Sequence, residues 1–532
     1  MSAIVVREAI ADDAASWLSL LKVTLGEDHP AKEVYDPSWI TSELAADTPS
    51  NTWIAEADGQ IQASVTFLSP LPQADNPVMN LGRNLFRPES FDNGSASELI
   101  KKIHEFNADE NYMQVVRVLA SDVKQQSLFE EEGYVFIGFQ PFKHLHRARE
   151  GVLFYLRAGA KGLEHRLPLS ESLPQIGELC TISLKNCGVT PPSLIRDGVT
   201  GYPLKTEISF QDSDLEEYDL WLLQSQSANP PREISGSFNL GFGYMRVDSN
   251  PQIKAALGKR DTKVVGGITY YYDEHDRCAR IVDGFATDDL SMGALLKHAI
   301  QVAQDSLSAV YVEIDILSNA PRLIKSAEQL GFEPVAYMPA FHAEGSLLTD
   351  VVKLVKLNTS YALENTSLTD KSEAVVKVVD YNFQDQKTGI AIINLLRGLP
   401  IFEGLGDGEL RKIARLFTQK LYRPGEKVFK RGDSGNEAYA VMRGKIDICL
   451  EEGSAPVASL SDGQIFGEQA FLDGAERVAM AVADKPSILL VMQRNAFYDV
   501  VQREPHLGMV VMRNIAMDLS NKLRRANTAI KR

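Results

Sequence analysis

The chain has 532 residues, more than one compact core usually holds, so we expect several domains. Hydrophobic residues make up 44% and charged residues 24%, which is typical of globular proteins and excludes a collagen-like or wholly disordered chain. The formal net charge of −16 would repel phosphate backbones and anionic lipid headgroups. We therefore predict neither DNA nor a membrane as a partner.

Cysteine usage and the N-terminal sequence favour a cytoplasmic protein. The four cysteines are too few and too scattered for a disulfide framework, and none belongs to a C-x-x-C pair of the kind that binds zinc. The first apolar run ends at Arg7 and Glu8, and no run of about 18 apolar residues occurs anywhere in the chain. We predict no signal peptide, no membrane span and no metal site.

The first predicted elements are a strand, a helix and a strand hairpin, followed by a glycine turn that leads into an amphipathic helix. The segments that carry this order are IVVREAIADDAASWLSLLKVTLG, TWIAEADGQIQASVTFL and SFDNGSASELIKKI. The helix is expected over residues 97–106 and a further strand over residues 114–119. This order predicts a mixed α/β sheet.

An internal duplication relates two stretches of the chain. Residues 128–144 read LFEEEGYVFIGFQPFKH, and residues 326–342 read SAEQLGFEPVAYMPAFH. In both stretches a helix ends at a glycine followed by an aromatic residue, a strand follows, and a proline and a histidine recur at matching offsets. A helix and a strand precede each copy, so the repeated unit is helix, strand, helix, strand within a larger sheet.

The order of these elements resembles the GNAT family of acyl-CoA-dependent N-acyltransferases, over about residues 1–157 and again over residues 158–357. The resemblance implies acetyl-CoA or another acyl-CoA as a substrate and a small-molecule or protein amine as the acceptor. In this family a loop of N–H groups leading into a helix binds the pyrophosphate of coenzyme A. The residues that match this turn are Gly94, Ser95 and Ala96 in the first copy and Gly293 and Ala294 in the second.

Both turns depart from the family pattern, which begins with Arg or Gln. Phe91 stands at that position in the first copy, and Asp92 adds a negative charge beside it. In the second copy the spacing is altered and Asp288 and Asp289 face the turn. A glycine before an amphipathic helix is also common in ordinary packing, so each turn has a purely structural alternative.

The catalytic residues of the family have only partial counterparts here. The tyrosine that often protonates the leaving thiolate corresponds to Phe129 and Ala327, neither of which can donate a proton. The candidate bases are acidic residues on predicted strands of the second copy, which makes that copy the better candidate for catalysis: Asp283, Glu313 and Asp315. The repeated His144 and His342 are alternatives for the base, although packing explains them equally well. The run from Asp273 to Asp276 predicts a polar hairpin turn, with metal binding there as a remote alternative.

A polar stretch over residues 358–387, rich in Ser, Thr, Asn and Asp, predicts a linker. After it, residues 388–532 begin with a helix and continue as short strands punctuated by glycines. A helical tail follows from Ala496 onward. Short strands at regular spacing predict a small antiparallel barrel or jelly roll.

The segment FGEQAFLDGAERVAMA places Glu468 and Arg477 on either side of a glycine-containing turn. This pair suits a cyclic nucleotide, because a planar guanidinium can pair with both exocyclic oxygens of a cyclic phosphate. A carboxylate such as that of Glu468 can accept a hydrogen bond from the ribose 2′-hydroxyl. Gly467 allows the backbone to approach the sugar closely.

Together with LRGLPIFEGLGDGELRKIA, YRPGEKVFKRGD and YAVMRGKIDICL, this segment resembles the cyclic nucleotide-binding domain of the catabolite activator protein and of protein kinase A regulatory subunits. The resemblance covers about residues 395–525 and implies cAMP or a related nucleotide as an effector. It assigns to the pocket the residues Gly467, Glu468, Gln469, Ala470, Arg477 and Val478. Glu476 and Met480 depart from the family, which usually has Pro and Ser or Thr there. In the alternative, Arg477 and Glu468 pair only with each other.

The combined prediction is an α+β multidomain protein with two GNAT-like mixed α/β sheets followed by a β jelly-roll domain. The leading hypothesis is a cytoplasmic N-acyltransferase regulated by a cyclic nucleotide. The alternative is a non-catalytic nucleotide sensor or assembly protein whose GNAT-like domains have lost their activity. In either case a homo-oligomer is possible, and nothing in the sequence identifies the acceptor.

Overall fold

The computed structural model describes residues 3–45, 50–68, 78–106, 112–196, 198–226, 232–235, 253–345, 347–384 and 390–530. The chain forms two compact units. The first unit comprises Met1–Ile195, Thr200–Ala327 and Phe332–Phe383, and the second comprises Gln384–Arg532 with two short segments. The predicted division at residue 157 therefore lies inside one compact unit rather than between two.

The described residues of the first copy of the duplication form seven strands and five helices. The strands are β1 (Val5–Glu8), β2 (Ser50–Ala57), β3 (Gln60–Leu68), β4 (Val78–Phe86), β5 (Met113–Leu119), β6 (Val135–Leu145) and β7 (Arg149–Ala158). The helices are α1 (Ala14–Leu25), α2 (Pro37–Glu43), α3 (Pro88–Asp92), α4 (Ser95–Phe106) and α5 (Val123–Glu131). Single 3-10 turns occur at Ala11–Asp13 and Lys32–Tyr35.

The segment of residues 159–208 separates the strands of this copy from those of the second. It contains β8 (Glu171–Ser172), α6 (Gly177–Asn186) and β9 (Leu194–Ile195). The strands that follow are β10 (Ser209–Ser213), β11 (Lys254–Arg260), β12 (Lys263–Asp273), β13 (Cys278–Ala286), β14 (Tyr311–Leu317), β15 (Glu333–Glu344) and β16 (Leu347–Leu357). The helices among them are α7 (Leu215–Gln226), α8 (Met292–Gln301), which continues as a π turn at Val302–Ser306, and α9 (Pro321–Gln329).

Both copies contribute to one sheet of 14 strands, in the order β1-β2-β3-β4-β5-β7-β6-β15-β16-β14-β13-β12-β11-β10. The order of the second half mirrors that of the first, so the duplication extends to all seven strands of each copy. The halves meet where β6 pairs with β15, through Gly138 and Ala336. A Cβ at Gly138 would lie 2.2 Å from the Cβ of Ala336, so the two backbones approach closely at this seam.

The two central strands of each copy run parallel, whereas the other neighbours in this sheet are antiparallel. Pairing of β4 with β5 covers only Val78–Leu81, and pairing of β13 with β14 covers only Cys278–Ile281. In each case both strands continue beyond the last pair. Beyond these pairs, β4 and β13 each have a bulge in their pairing with the neighbour on the other side, β3 and β12 respectively. The bulges lie at Arg83, which has a φ of 49°, and at Val282. The central strands of both copies therefore part toward their carboxyl ends.

Residues 358–387 were expected to form a linker, but most of this stretch packs on the first unit. Helix α10 (Asp370–Gln384) occupies half of it and buries a face formed by Val375, Val379 and Phe383. Thr369, just before the helix, donates a hydrogen bond to Glu130 (2.6 Å). The apolar residues recur at helical spacing, a pattern that the polar composition hides. Residues 385–389 lie outside the described residues.

The second unit is a β-sandwich preceded and followed by helices. Its strands are β17 (Phe417–Tyr422), β18 (Lys427–Phe429), β19 (Glu437–Arg443), β20 (Lys445–Cys449), β21 (Ala458–Ser461), β22 (Ile465–Phe466), β23 (Met480–Ala483) and β24 (Ser487–Gln493). They form two four-stranded antiparallel sheets, β17-β24-β19-β22 and β18-β23-β20-β21. The helices are α11 (Ile390–Arg397), α12 (Asp407–Ala414), α13 (Glu468–Asp473), α14 (Arg494–Arg503) and α15 (Pro505–Ile530).

Of the helices in the described parts of both units, none is both long and apolar enough to cross a membrane.

Candidate functional site

The candidate site of the second unit is a short turn between β22 and β23. Gly467, with a φ of 80°, precedes the six-residue helix α13, and Gly474, with a φ of 73°, ends it. A Cβ at Gly467 would lie 2.8 Å from Nη1 of Arg477 and 3.2 Å from the carbonyl oxygen of Glu437. Glycine is therefore required here both for the backbone conformation and for the approach of the guanidinium.

Arg477 is the most strongly held side chain of the turn. Its side chain is only 4% exposed, and Nη1 and Nη2 donate hydrogen bonds to the carbonyl oxygens of Gly467 (2.9 Å) and Glu437 (2.6 Å). The guanidinium carbon lies 4.3 Å from the ring centre of Phe429 and 5.7 Å from that of Tyr439. These contacts fix the direction of the guanidinium plane before any ligand binds.

The charge of Arg477 has no counter-charge within ion-pair distance among the described residues. Its hydrogen bonds go to two neutral carbonyls, so the direct pair with Glu468 that was considered as an alternative does not form. The Nε–H group is buried and has no acceptor in the described parts of the chain. Burial lowers the pKa of Arg477 despite the opposing effect of Tyr439 and nearby acids. A buried cation with an unused donor is an arrangement suited to an anion.

Ala470 and Gly435 hold the turn against a neighbouring loop. A Cβ at Gly435 would lie 2.0 Å from the Cβ of Ala470 and 2.7 Å from the carbonyl oxygen of Ala475. Larger side chains at either position would push α13 away from this loop. The small residue predicted at position 470 therefore has a packing reason.

The other predicted pocket residues differ in exposure. Glu468 is buried in the first turn of α13, whereas Gln469 and Val478 are exposed. Glu476, which departs from the family pattern, is exposed, and its backbone bridges to Ser434. Its carboxylate is therefore less constrained than the sequence suggested.

Three functional contacts were not predicted from the sequence. Phe429 and Tyr439 flank the guanidinium, and the backbone carbonyl of Glu437 accepts from it. Both aromatic residues belong to segments on which the family resemblance rests. Their place in these segments was the signal that could have pointed to them. The carbonyl contact has no sequence signature, because any residue supplies a carbonyl.

In the first unit, the glycine turn of the first copy is open. Gly94 has a φ of 84°, and a Cβ there would meet, among the described residues, only the Cδ1 atom of Ile4, at 4.0 Å. The side chain of Asn93 accepts a hydrogen bond from the N–H of Ser95 (2.9 Å). Ser95 and Ala96 are buried at the start of α4, and the Ser95 hydroxyl has no partner among the described residues.

The corresponding turn of the second copy is covered, contrary to expectation. A Cβ at Gly293 would lie 2.5 Å from the carbonyl oxygen of Pro203 and 2.9 Å from that of Tyr202. Asp288 accepts hydrogen bonds from the N–H of Leu290 and the hydroxyl of Ser291. The backbone around Gly293 and Ala294 is therefore occupied by the protein itself, so these two residues do not form an accessible pyrophosphate turn.

Two of the three predicted bases are also placed where they cannot act. Glu313 and Asp315 are buried on β14, and Arg280 donates to both, at 3.0 Å and 2.7 Å. Lys143 lies 3.2 Å from Glu313, and Lys353 donates to Asp315 at 2.7 Å. Burial would raise the pKa of Glu313, but the surrounding cations outweigh it and hold that pKa well below its usual value. These carboxylates are structural ion-pair partners.

Asp283 is the predicted base whose environment suits proton transfer best. It lies on β13 just beyond the last parallel pair with β14 and accepts from Arg232 (2.9 Å) and from the N–H of Gly284 (2.8 Å). Burial raises the pKa of Asp283, and Arg232 offsets only part of this effect. A carboxylate with a raised pKa is a better proton acceptor near neutral pH.

Comparison with known proteins identifies the class of the second unit. Residues 419–504 match the family model described as "Cyclic nucleotide-binding domain". The matched range includes the sheets of the sandwich, Gly467 and Arg477. The C-terminal unit is therefore a cyclic nucleotide-binding domain, which confirms the predicted β-rich domain at the end of a mixed α/β chain.

Individual relatives each match a limited share of the chain. The "Cyclic AMP receptor protein" of Thermus thermophilus is 33% identical over 135 residues, which is 25% of this chain and 61% of that protein. The "cAMP-dependent protein kinase regulatory subunit" of Colletotrichum orbiculare is 34% identical over 104 residues, 20% of this chain and 27% of that protein. A solved cyclic nucleotide-binding domain from Methylobacillus flagellatus is 22% identical in sequence, with a TM-score of 0.25. The match covers 27% of this chain and 83% of the solved chain. The chain thus spans less than two thirds of these two curated relatives.

Proposed function

We propose that this protein is a cyclic nucleotide sensor that binds cAMP or a related nucleotide in its C-terminal unit. The observation that carries the proposal is the buried guanidinium of Arg477, which has an unused Nε–H group and no carboxylate partner among the described residues. The cyclic phosphate supplies the missing acceptor and the missing negative charge. A cytoplasmic location and the lack of a DNA partner belong to the same proposal.

The neighbouring residues have distinct roles in this proposal. Glu468 accepts a hydrogen bond from the ribose 2′-hydroxyl, and Gly467 and Ala470 leave room for the sugar beside α13. Gln469 and Val478 flank the ligand from the surface side. The aromatic rings of Phe429 and Tyr439 hold the guanidinium in place, so less of the binding free energy is spent on ordering it.

The test is a calorimetric titration of the full-length chain with cAMP and cGMP. Replacing Arg477 by Gln should weaken binding by about 2 to 5 kcal/mol, because a desolvated phosphate then loses its charge partner. Arg443→Gln is the matched control, since Arg443 is an exposed arginine of the same domain. Equal affinity in parent and Arg477→Gln, or no binding of either nucleotide by the parent, would overturn the proposal.

For the N-terminal unit we propose two GNAT-like copies, of which the first binds an acyl-CoA without catalysing transfer. The mirrored seven-strand order and the parted parallel strands support the GNAT-like assignment. The open turn at Gly94 supports acyl-CoA binding in the first copy, and the covered turn at Gly293 disfavours it in the second. Neither copy combines an open turn with a suitable predicted base.

A thermal melt with acetyl-CoA tests this part separately. Acetyl-CoA at 100 times its Kd should stabilise the first unit by about 2.7 kcal/mol. Gly94→Val should remove the effect, whereas Gly59→Val should retain it, because Gly59 also has a positive φ and lies away from other atoms. A melt that no acyl-CoA shifts would remove acyl-CoA from the proposal and leave the nucleotide sensor standing.

The second candidate function is an N-acyltransferase regulated by the nucleotide. Asp283, with its raised pKa and its position beside the parted strands, is the observation that favours it. In that reaction Asp283 would accept a proton from the amine, and the amine nitrogen would attack the thioester carbonyl. The C–S bond would then break, forming the amide and releasing coenzyme A as its thiolate. Release of free thiol from acetyl-CoA with an amine, lost in Asp283→Asn, would establish this function.

A further inference from the structure

Three histidines of the first copy come together at the end of β6. His29 follows α1, His144 lies near the end of β6, and His146 lies in the turn to β7. One ring nitrogen from each lies within 4.8 Å of the other two. The ring centre of His29 is 5.7 Å from that of His144 and 5.3 Å from that of His146.

The cluster is buried and contains an unused ring nitrogen. His29 is 2% exposed, and its Nε2 atom has no hydrogen-bond partner among the described residues. The other nitrogen of His29 accepts a long hydrogen bond of 3.2 Å from the N–H of Ala31. An imidazole binds a metal ion through a ring nitrogen that carries a lone pair, and the buried Nε2 atom of His29 is the nitrogen left for this role.

A carboxylate lies beside each of the other two rings, outside the cluster. Nδ1 of His144 lies 3.2 Å from Oδ1 of Asp276, and Nε2 of His146 lies 3.5 Å from Oδ1 of Asp28. Asp276 also accepts the N–H of Leu145 (2.8 Å), which fixes its position. A histidine that donates one N–H to a carboxylate presents the lone pair of its other nitrogen, which is the usual arrangement around protein-bound metals.

We propose that His29, His144 and His146 bind a divalent transition-metal ion, with Zn²⁺ as the best match. A set of three imidazoles, without thiolates or direct carboxylate ligands, favours a transition-metal cation between the hard and soft classes over the hard cations Mg²⁺ and Ca²⁺. Three protein ligands leave the fourth tetrahedral position to water. Zn–N bonds of about 2.0 to 2.1 Å place tetrahedral donors about 3.4 Å apart, so the rings close by roughly 1 Å on loading. Binding through Nε2 of His29 gives up the long bond from Ala31.

The bound ion would join parts of the chain that are distant in sequence. It connects the segment after α1 to the turn between β6 and β7. Through Asp276, which precedes β13, it also connects the first copy to the second. The role of the site is therefore to stabilise this contact between the copies.

The experiment uses the tag-free full-length chain, treated with chelator and then titrated with Co²⁺ as a spectroscopic probe. We expect one equivalent to bind with the visible absorption of a four-coordinate ion, to be displaced by Zn²⁺, and to raise the thermal midpoint. His29→Gln and His146→Gln should each weaken binding at least tenfold. His275→Gln, which removes an exposed histidine in the turn before β13, should bind as the parent does.

Two results would overturn the inference. The first is binding of well below one equivalent of Co²⁺ and of Zn²⁺ by the parent, and the second is equal binding by the parent and His146→Gln. His146 is only partly buried, so this variant keeps the test valid if His29→Gln fails to fold. Asp276→Asn gives a further check, because loss of the orienting carboxylate should lower affinity about 10- to 100-fold while all three ligands remain.

Discussion

Two glycines of the C-terminal unit share a backbone conformation but differ in their surroundings. Gly467 and Gly463 have φ values of 80° and 79°. A Cβ at Gly467 would lie 2.8 Å from Arg477, whereas a Cβ at Gly463 would meet no atom within 4 Å. Alanine at either position should lower the unfolding free energy by about 1 to 2 kcal/mol, because its Cβ atom is strained in the left-handed backbone conformation. Comparison of the two variants therefore separates backbone strain from contact with the arginine.

We expect Gly467→Ala to weaken cAMP binding and Gly463→Ala to leave it unchanged. The added methyl group displaces the guanidinium, whose hydrogen bond to the carbonyl of residue 467 depends on close approach. Calorimetric titration of both full-length variants measures the difference. If both variants bind as the parent does, the guanidinium is not held by this contact.

His104, on α4, offers a test of pH dependence. Burial, and then repulsion from Arg157, lowers the pKa of His104 to about 4, compared with about 6.5 in an unfolded chain. As the pH falls from 6.5 to 4, the unfolded state therefore takes up a proton that the folded state does not. The unfolding free energy should decrease over this range, with a slope of at most about 1.4 kcal/mol per pH unit for one group.

His104→Gln should reduce that slope, because glutamine does not titrate. Urea unfolding of parent and variant at several pH values between 4 and 7 measures it. Identical slopes in parent and variant would mean that the pKa of His104 is the same in the folded and unfolded states.

At this scale the sequence predicted what depends on local spacing. Gly467, Glu468 and Arg477 could be grouped because they lie close together in the sequence, and their roles in nucleotide binding stay predictions. The aromatic contacts of Phe429 and Tyr439 could not, since they arise only when the strands pack together. The histidine cluster was missed for the same reason, because His29 is far in sequence from His144 and His146.

Among the elements, strand β14 carries a buried ion cluster that spans the seam between the copies. Glu313 receives hydrogen bonds from Arg280 of the second copy and from Gln140 on β6 of the first (3.0 and 2.9 Å). The two acids of β14 are two residues apart, so they share one face of the strand, and that face is buried. Sequence alternation predicted the shared face but not that cations from three other strands would cover it.

Glu313→Gln should destabilise the first unit by about 3 to 5 kcal/mol, because the buried cations around it lose a charge partner. Glu105→Gln is the matched control, since Glu105 forms an exposed pair with Lys102 and its replacement should cost far less stability. Urea unfolding of the full-length variants gives both values. A cost for Glu313→Gln as small as that of the control would mean that the cluster contributes little to stability.

At the scale of the whole molecule, the two compact units should unfold as separate transitions. If the nucleotide controls the N-terminal unit, cAMP at 100 times its Kd should raise the midpoint temperatures of both transitions. The unfolding free energy of the unit that binds it should increase by up to about 2.7 kcal/mol. Differential scanning calorimetry of parent and Arg477→Gln makes the comparison. A shift confined to the C-terminal transition would contradict regulation while leaving nucleotide binding intact.

The shared sheet also bears on solubility. Two separate seven-stranded sheets would expose four edge strands, each able to pair with another chain. Joining β6 to β15 leaves only β1 and β10 at the ends of the described sheet. Both are short, with four and five residues, and their sequences, VVRE and SFQDS, place polar or charged side chains along the edge. The fusion of the copies thus protects a very large sheet against edge-to-edge aggregation.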